Sequence, residues 1–424
     1  MQPKLARLIA ELDAALPILA KPIRVLKYLT WPNALEERFL EGWRAGRPTL
    51  PRFEHAVPDW SAEIAALEDC AGRAAGEDPI LQYLRRTARS YAEAGRMLMA
   101  AGTPAFTEHS VNLYGRPDDV YRTQSFTGVE AAAFLLEKSD HLIQGNYIAP
   151  TRPEMTAGEF AARLQQAIDA YFVDDKVEVR IDDALSAKAI AGTSRIRIRA
   201  SALFSDLDFD QLFQHEALIH TATAINGRRQ TNLKSMALGA PRTTRTQEGI
   251  AVFAELVTRS IDISRLRRLA VRIQALKHAL DGADFIEVFK TFLETGQDER
   301  EAYKSAQRIF RGGDVRGGVA FTKDSAYLKG LMETHVLMNL AIRDNRPQVI
   351  ERLFAGRLTH SDSVTLGPYF ETGFLSRPHY VPPWAEDTRR LAASLAYSSF
   401  MMKVDLGAVS LEHFVAAAER ADEA

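Results

Sequence analysis

The spacing of two histidines constrains this chain more than any other feature. His215 and His220 lie five residues apart, with Glu216 beside the first. The stretch that holds them, Phe209 to Ile225, has a helical apolar pattern, N-cap candidates over Ser205 to Asp210 and a C-cap signal at Asn226-Gly227. On a regular α-helix five residues turn through roughly 500°, which leaves the two imidazoles about 140° apart. They converge only if the helix widens to a π-type turn of about 4.4 residues or ends early. Such a change is therefore expected between His215 and His220 if the pair acts together. Downstream, Glu248 opens a second helical pattern over 247–261. Two imidazoles and a carboxylate make the His2Glu donor set of hydrolytic zinc sites, with one position left for water. Glu216 faces that open position as the candidate base. Glu255, two helical turns beyond Glu248, is the candidate acceptor for an imidazole N–H.

The bulk properties exclude several classes. A chain of 424 residues, 46% hydrophobic and 25% charged, has the composition of an ordinary globular protein of two or three packed units. A formal net charge of −2 offers no basic surface for nucleic acid or an anionic membrane. No apolar run approaches the ~20 residues that span a bilayer. Cys70 is the single cysteine, so no internal disulfide forms, and the N-terminal stretch is amphipathic, with Glu11 and Asp13, instead of signal-like. Both features point to the cytoplasm. The pattern carries no signal for an oligomeric state.

Periodicity divides the chain near residue 174. Residues 1–173 read as a helical region, with helices expected over 4–16 (ended by Pro17), 34–43, 61–75, 79–101, 128–136 and 156–172, and with 107–124, which contains Leu113-Tyr114-Gly115-Arg116-Pro117, as a loop followed by a short helix. Residues 174–424 read as the catalytic region. Val177, Val179 and Ile181 alternate with polar residues, as does Arg195-Ile196-Arg197-Ile198-Arg199; Ala187 to Ala191 is a third strand candidate, and Gly192-Thr193-Ser194 turns the chain. More helices follow, the last over 411–421. The expected fold is α+β and predominantly helical: a zincin-like metallopeptidase core in which a small antiparallel sheet precedes the metal-binding helix. An edge strand beside such a helix lets a peptide add to the sheet.

Several motifs in order resemble one known family. His215-Glu216-x-x-x-His220, Gln247-Glu248-Gly249-Ile250-Ala251, Leu113-Tyr114-Gly115-Arg116-Pro117, Arg308-Ile309-Phe310-Arg311-Gly312 and Thr322-Lys323-Asp324-Ser325-Ala326-Tyr327-Leu328-Lys329-Gly330 are similar to those of the QEGLA-motif family, known in bacteria as flavohaemoglobin expression-modulating QEGLA motif proteins. Its animal branch includes the microtubule-associated tyrosine carboxypeptidases, which remove the terminal tyrosine of α-tubulin. The resemblance spans roughly residues 1–400 and implies a zinc metallopeptidase with His215, His220 and Glu248 as ligands and Glu216 as base. Ile250 replaces the motif's leucine. Leu218-Ile219 stands where the family usually has Gly-Thr, a bulkier pair expected to narrow the site or to change substrate choice. The reaction class carries over; the tubulin substrate does not.

A carboxypeptidase holds the terminal carboxylate of a peptide or protein tail with a cation, best an arginine fork. Arg242 and Arg245 precede Glu248, and Arg311 and Arg316 belong to the glycine-rich loop 311–318; Arg242, Arg245 and Arg311 are the candidates. Tyr327 and Lys323 are candidates for polarising the scissile carbonyl. That loop lacks Gly-Lys-Ser/Thr and does not read as a phosphate-binding loop. His109, His335 and His379 read as structural or surface groups. The same four residues also serve two rival readings, a zinc-binding regulatory protein without turnover and a metal-dependent amidase.

Overall fold

The structure is a computed structural model that describes residues 2–55, 59–121, 125–143, 154–183, 185 and 187–401. The helix expected over 411–421 lies outside these residues. Helices dominate, and they form where the apolar spacing and the caps require. Asp78 accepts the N–H groups of Ile80 and Leu81, and Pro79 opens the long Pro79–Met99 helix. Thr156 and Ser205 each head a capping box, at Ala157–Tyr171 and Asp206–Leu212. The first helix, Pro3–Ala20, runs through Pro17 instead of stopping there. The segment expected as a loop from Thr107 is the helix Pro104–Tyr114, ended by Gly115 at φ +84°.

The N-terminal helices are not a free-standing layer. Ile9, Leu12, Leu16, Leu67 and Leu84 share one core with Leu233, Met236, Phe321 and Leu358. The Asp13 carboxylate accepts the N–H groups of Lys234 and Ser235 at 2.8 and 2.9 Å. This anchors the loop that leads to the Glu248 helix.

The sheet has three strands, β1 (Glu178–Asp182), β2 (Ala189–Ala191) and β3 (Arg195–Arg199), in the order β1-β3-β2. β2 and β3 form the expected hairpin. The all-antiparallel expectation is corrected: β1 pairs parallel to β3, with Val179 opposite Ile196 and Ile181 opposite Ile198, so the sheet is mixed. Alternation fixes which face of a strand is buried and carries no information on its direction. Ile196 and Ile198 pack beneath the sheet on Phe160, Leu164 and Ile168 of the Ala157–Tyr171 helix and on Phe204 and Leu212.

β2 is an edge strand. Lys188, Ile190 and Gly192 direct their backbone groups to β3, so the N–H and C=O groups of Ala189 and Ala191 point outward. Among the described residues no helix is long and apolar enough to cross a membrane.

Candidate metal centre

The helix bearing the histidines changes its winding where the spacing requires. Asp206–Leu212 is α-helical, Phe213–Thr221 is a π-helix, and Ala222–Arg229 is again α-helical. The two imidazoles thus meet on one face, ring centroids 4.9 Å apart. The helix does not end at Asn226-Gly227. Asn226 is buried, and its amide donates to the carbonyls of Phe354 and Tyr380, both at 2.7 Å. At Gly227 a Cβ would lie 2.5 Å from the carbonyl oxygen of Met236, so this glycine serves close packing and not a cap. Leu218 and Ile219 are fully buried and absent from the cleft wall, with Ile219 in a core beside Ile250, Phe253 and Phe354. The bulkier pair therefore fills the core and leaves the site its width.

Glu248 reaches the histidines from the helix Thr244–Val257. His215, His220 and Glu248 each present one donor atom within 4.8 Å of the others, a group that could hold a metal ion. Glu248 Oε2 is 3.5 Å from His215 Nε2 and 3.7 Å from His220 Nε2. These are long for hydrogen bonds. They are close to the edge of a tetrahedron with metal–ligand bonds of ~2.0–2.1 Å, which is about 3.4 Å. The donor set and its spacing fit a tetrahedral divalent ion.

The surroundings orient the donors. The fully buried Glu255 accepts from His215 Nδ1 at 2.7 Å, which puts the proton on Nδ1 and leaves Nε2 free as a donor to a metal. Glu255 is itself held by Gln211 at 2.9 Å and by Arg265 at 3.2 Å. Burial alone would raise its carboxyl, but Arg265 and His215 outweigh burial and bring it down to about 2. Burial likewise opposes charge on His215, yet the neighbouring carboxylates of Glu248 and Glu255 push it up to about 10. A proton and a metal ion thus compete for the same lone pair. The other oxygen of Glu248 accepts from Lys323 Nζ at 2.8 Å. Despite burial, Lys323 and the imidazoles hold Glu248 well below the usual carboxylate range, with one oxygen left for a metal.

These groups lie in the wall of a cleft of about 1820 Å³ that also exposes Glu216, Tyr327 and β2. Glu216 Oε2 accepts the outward N–H of Ala191 at 2.7 Å, which aims its carboxylate along the edge strand. Tyr327 lies between cations, 5.1 Å from Lys323 Nζ and 5.9 Å from Arg308 Cζ, measured to its ring centroid.

The candidate arginines separate. Arg311 lines the cleft, whereas Arg242 and Arg245 do not. Arg242 turns away to Asp362 at 2.8 Å, and Arg245 to Glu333 at 3.5 Å. Arg316 pairs with Asp314 on the surface. His109 pairs with Glu93, and His379 with Asp174. Sequence reasoning missed Gln211, Arg265 and Arg272. The spacing of Arg265, Arg268 and Arg272, which puts three cations on one helix face, was the available signal.

Fold and site together define a mostly helical α+β protein built around a His–His–carboxylate group that can take a metal ion at the edge of a small mixed sheet. The chain belongs to the microtubule-associated tyrosine carboxypeptidase family, whose model matches residues 37–403. The match includes the sheet, the π-helix, Glu248 and the cleft floor. Membership supports a carboxypeptidase-like hydrolase. No curated protein matches the sequence.

Proposed function

We propose that this protein is a zinc-dependent carboxypeptidase that removes a C-terminal residue from a peptide or protein, within the QEGLA-motif branch and in the cytoplasm. His215, His220 and Glu248 hold the metal, and residues 174–424 are the catalytic region. The observation that carries the reading is the convergence of those three donors within 4.8 Å of one another, Glu248 at tetrahedral-edge distances from both imidazoles, in the wall of a cleft. A divalent ion there supplies Lewis acidity to a water molecule and to the scissile carbonyl.

The chain's own residues do the rest. Glu216 takes a proton from the attacking water and returns it to the leaving amine. Tyr327 donates to the developing oxyanion. Lys323, first a candidate for that task, neutralises Glu248 instead. The outward N–H and C=O of Ala189 and the C=O of Ala191 pair with the backbone of an extended substrate. The family's name makes tyrosine the first terminal residue to try.

The test is metal analysis with a screen of C-terminal peptide libraries, comparing wild type with Glu216→Gln. The wild type should bind about one zinc and release single C-terminal residues. Glu216→Gln should keep the zinc and lose roughly 10²–10⁴-fold in rate. Protein that stays metal-free in excess zinc, or a Glu216→Gln variant as active as wild type, overturns the proposal.

A further inference from the structure

Three guanidinium groups in the cleft floor share one carboxylate. Arg272 comes from the helix Ile263–Leu280, Arg308 from Glu299–Phe310, and Arg311 from the residue that closes the latter. All three line the cleft that contains the metal cluster. Asp324 is the acid among them, and Arg308 takes both of its oxygens, at 3.0 and 2.6 Å. Arg265 is engaged by Glu255, and Lys323 by Glu248.

Arg272 and Arg311 are left over. Among the described residues neither has an ion pair or a side-chain hydrogen bond, and the Nε of each is enclosed without an acceptor. Arg311 is only 8% exposed, with its guanidinium 5.2 Å from the centroid of Phe321. Burial and the repulsion of Arg308 push Arg311 down to about 10 and Arg272 down to about 9. Buried cations are ordinarily paired, because an unpaired one loses hydration without compensation. Two unpaired ones beside a single occupied carboxylate make a vacancy for an anion.

We propose that Arg272 and Arg311 form a pocket for the terminal α-carboxylate of the substrate. The proposal deepens the carboxypeptidase reading and rests on it. The planar guanidinium fork matches a carboxylate. Arg272 and Arg311 both feel the charges of Arg308 and Asp324 and the hydroxyl of Tyr327, whose ring lies 5.1 Å from Lys323, the partner of Glu248, and all of these side chains but Asp324 line the same cleft as the metal cluster. A pair of buried cations in the same cleft as the metal cluster favours a chain end, which has a carboxylate to offer, over a chain that continues. Arg242 and Arg245, which lie outside the cleft, take no part.

The experiment uses the zinc-loaded Glu216→Gln protein, which binds without turnover, and a pentapeptide of four alanines ending in tyrosine, as free acid and as C-terminal amide. Calorimetry should show the acid binding about tenfold or more tighter than the amide, the scale of a lost charge-assisted hydrogen bond. Arg272→Gln and Arg311→Gln, each in that background, should remove the preference without a large fall in Tm, because among the described residues neither guanidinium is hydrogen-bonded to an acid. Equal affinity for acid and amide, or a preference that survives both substitutions, overturns the pocket. An acid preference in a wild-type protein that cleaves neither peptide sinks the peptidase reading and leaves the pocket standing. Wild-type cleavage of acid and amide at equal rates does the reverse.

Discussion

Gly249 is where a single methyl group tests how the centre is assembled. A Cβ on Gly249 would lie 2.3 Å from the carbonyl carbon and oxygen of Gly330 and 2.7 Å from its Cα. In the other direction, a Cβ on Gly330 would meet the carbonyl oxygen of Arg245 at 2.1 Å. The helices Thr244–Val257 and Ser325–Arg343 therefore touch backbone to backbone at this crossing. Normal carbon–carbon contact is about 3.5 Å, so Gly249→Ala forces the helices apart by about 1 Å. Overpacking costs about 1–3 kcal/mol, and the upper end applies because every obstructing atom is main chain. With an unfolding entropy of about 2.1 cal/mol/K per residue over 424 residues, about 3 kcal/mol corresponds to a fall in Tm of about 3 °C.

The local consequence is larger. Glu248 and Lys323 lie on opposite sides of the crossing and are bonded at 2.8 Å, a contact that an extra ångström breaks. Zinc affinity should then fall about tenfold or more, as when a ligand loses its supporting partner. Scanning calorimetry and zinc competition against a chromophoric chelator read the two effects. The double variant Gly249→Ala/Gly330→Ala should cost less than the sum of the singles, since one separation relieves both clashes. Gly249→Ala with Tm and zinc affinity unchanged refutes the close-crossing argument.

Two further outcomes are expected. Glu255→Gln removes the charge that orients His215 and should weaken zinc binding about 10- to 100-fold in the same chelator competition while the fold survives; wild-type affinity would remove Glu255 from the centre. Asp324 resists protonation in the folded state: burial alone would raise its carboxyl, but Arg308 and Arg272 hold it well below the usual range. A depressed folded value means stability is present above the unfolded value of about 3.9 and is lost as pH falls below it, so Asp324 alone should remove about 1 kcal/mol between pH 5 and pH 3. Urea midpoints at the two pH values should show that slope in wild type and a shallower one in Asp324→Asn; equal slopes would discount the pair.

The chemistry-bearing residues were legible in the sequence because ligand chemistry depends on residue type and spacing. His215, His220 and Glu248 declared a donor set, and the five-residue step between the histidines required a departure from α-helical winding that the Phe213–Thr221 π-helix supplies. Apolar periodicity was enough to locate most helices, and the turn at Gly192-Thr193-Ser194 the β2–β3 hairpin. Everything that depends on partners distant in sequence was settled only by tertiary packing. The direction of β1, the burial of Leu218 and Ile219, the continuation of the helix through Asn226-Gly227 and the turning away of Arg242 toward Asp362 all follow from which surfaces meet. An arginine has the same local pattern whether it finds a carboxylate or goes without one. That Arg308 takes both oxygens of Asp324 while Arg272 and Arg311 have no hydrogen-bonded acid among the described residues is a property of three helix segments brought together, and no stretch of the chain encodes it locally.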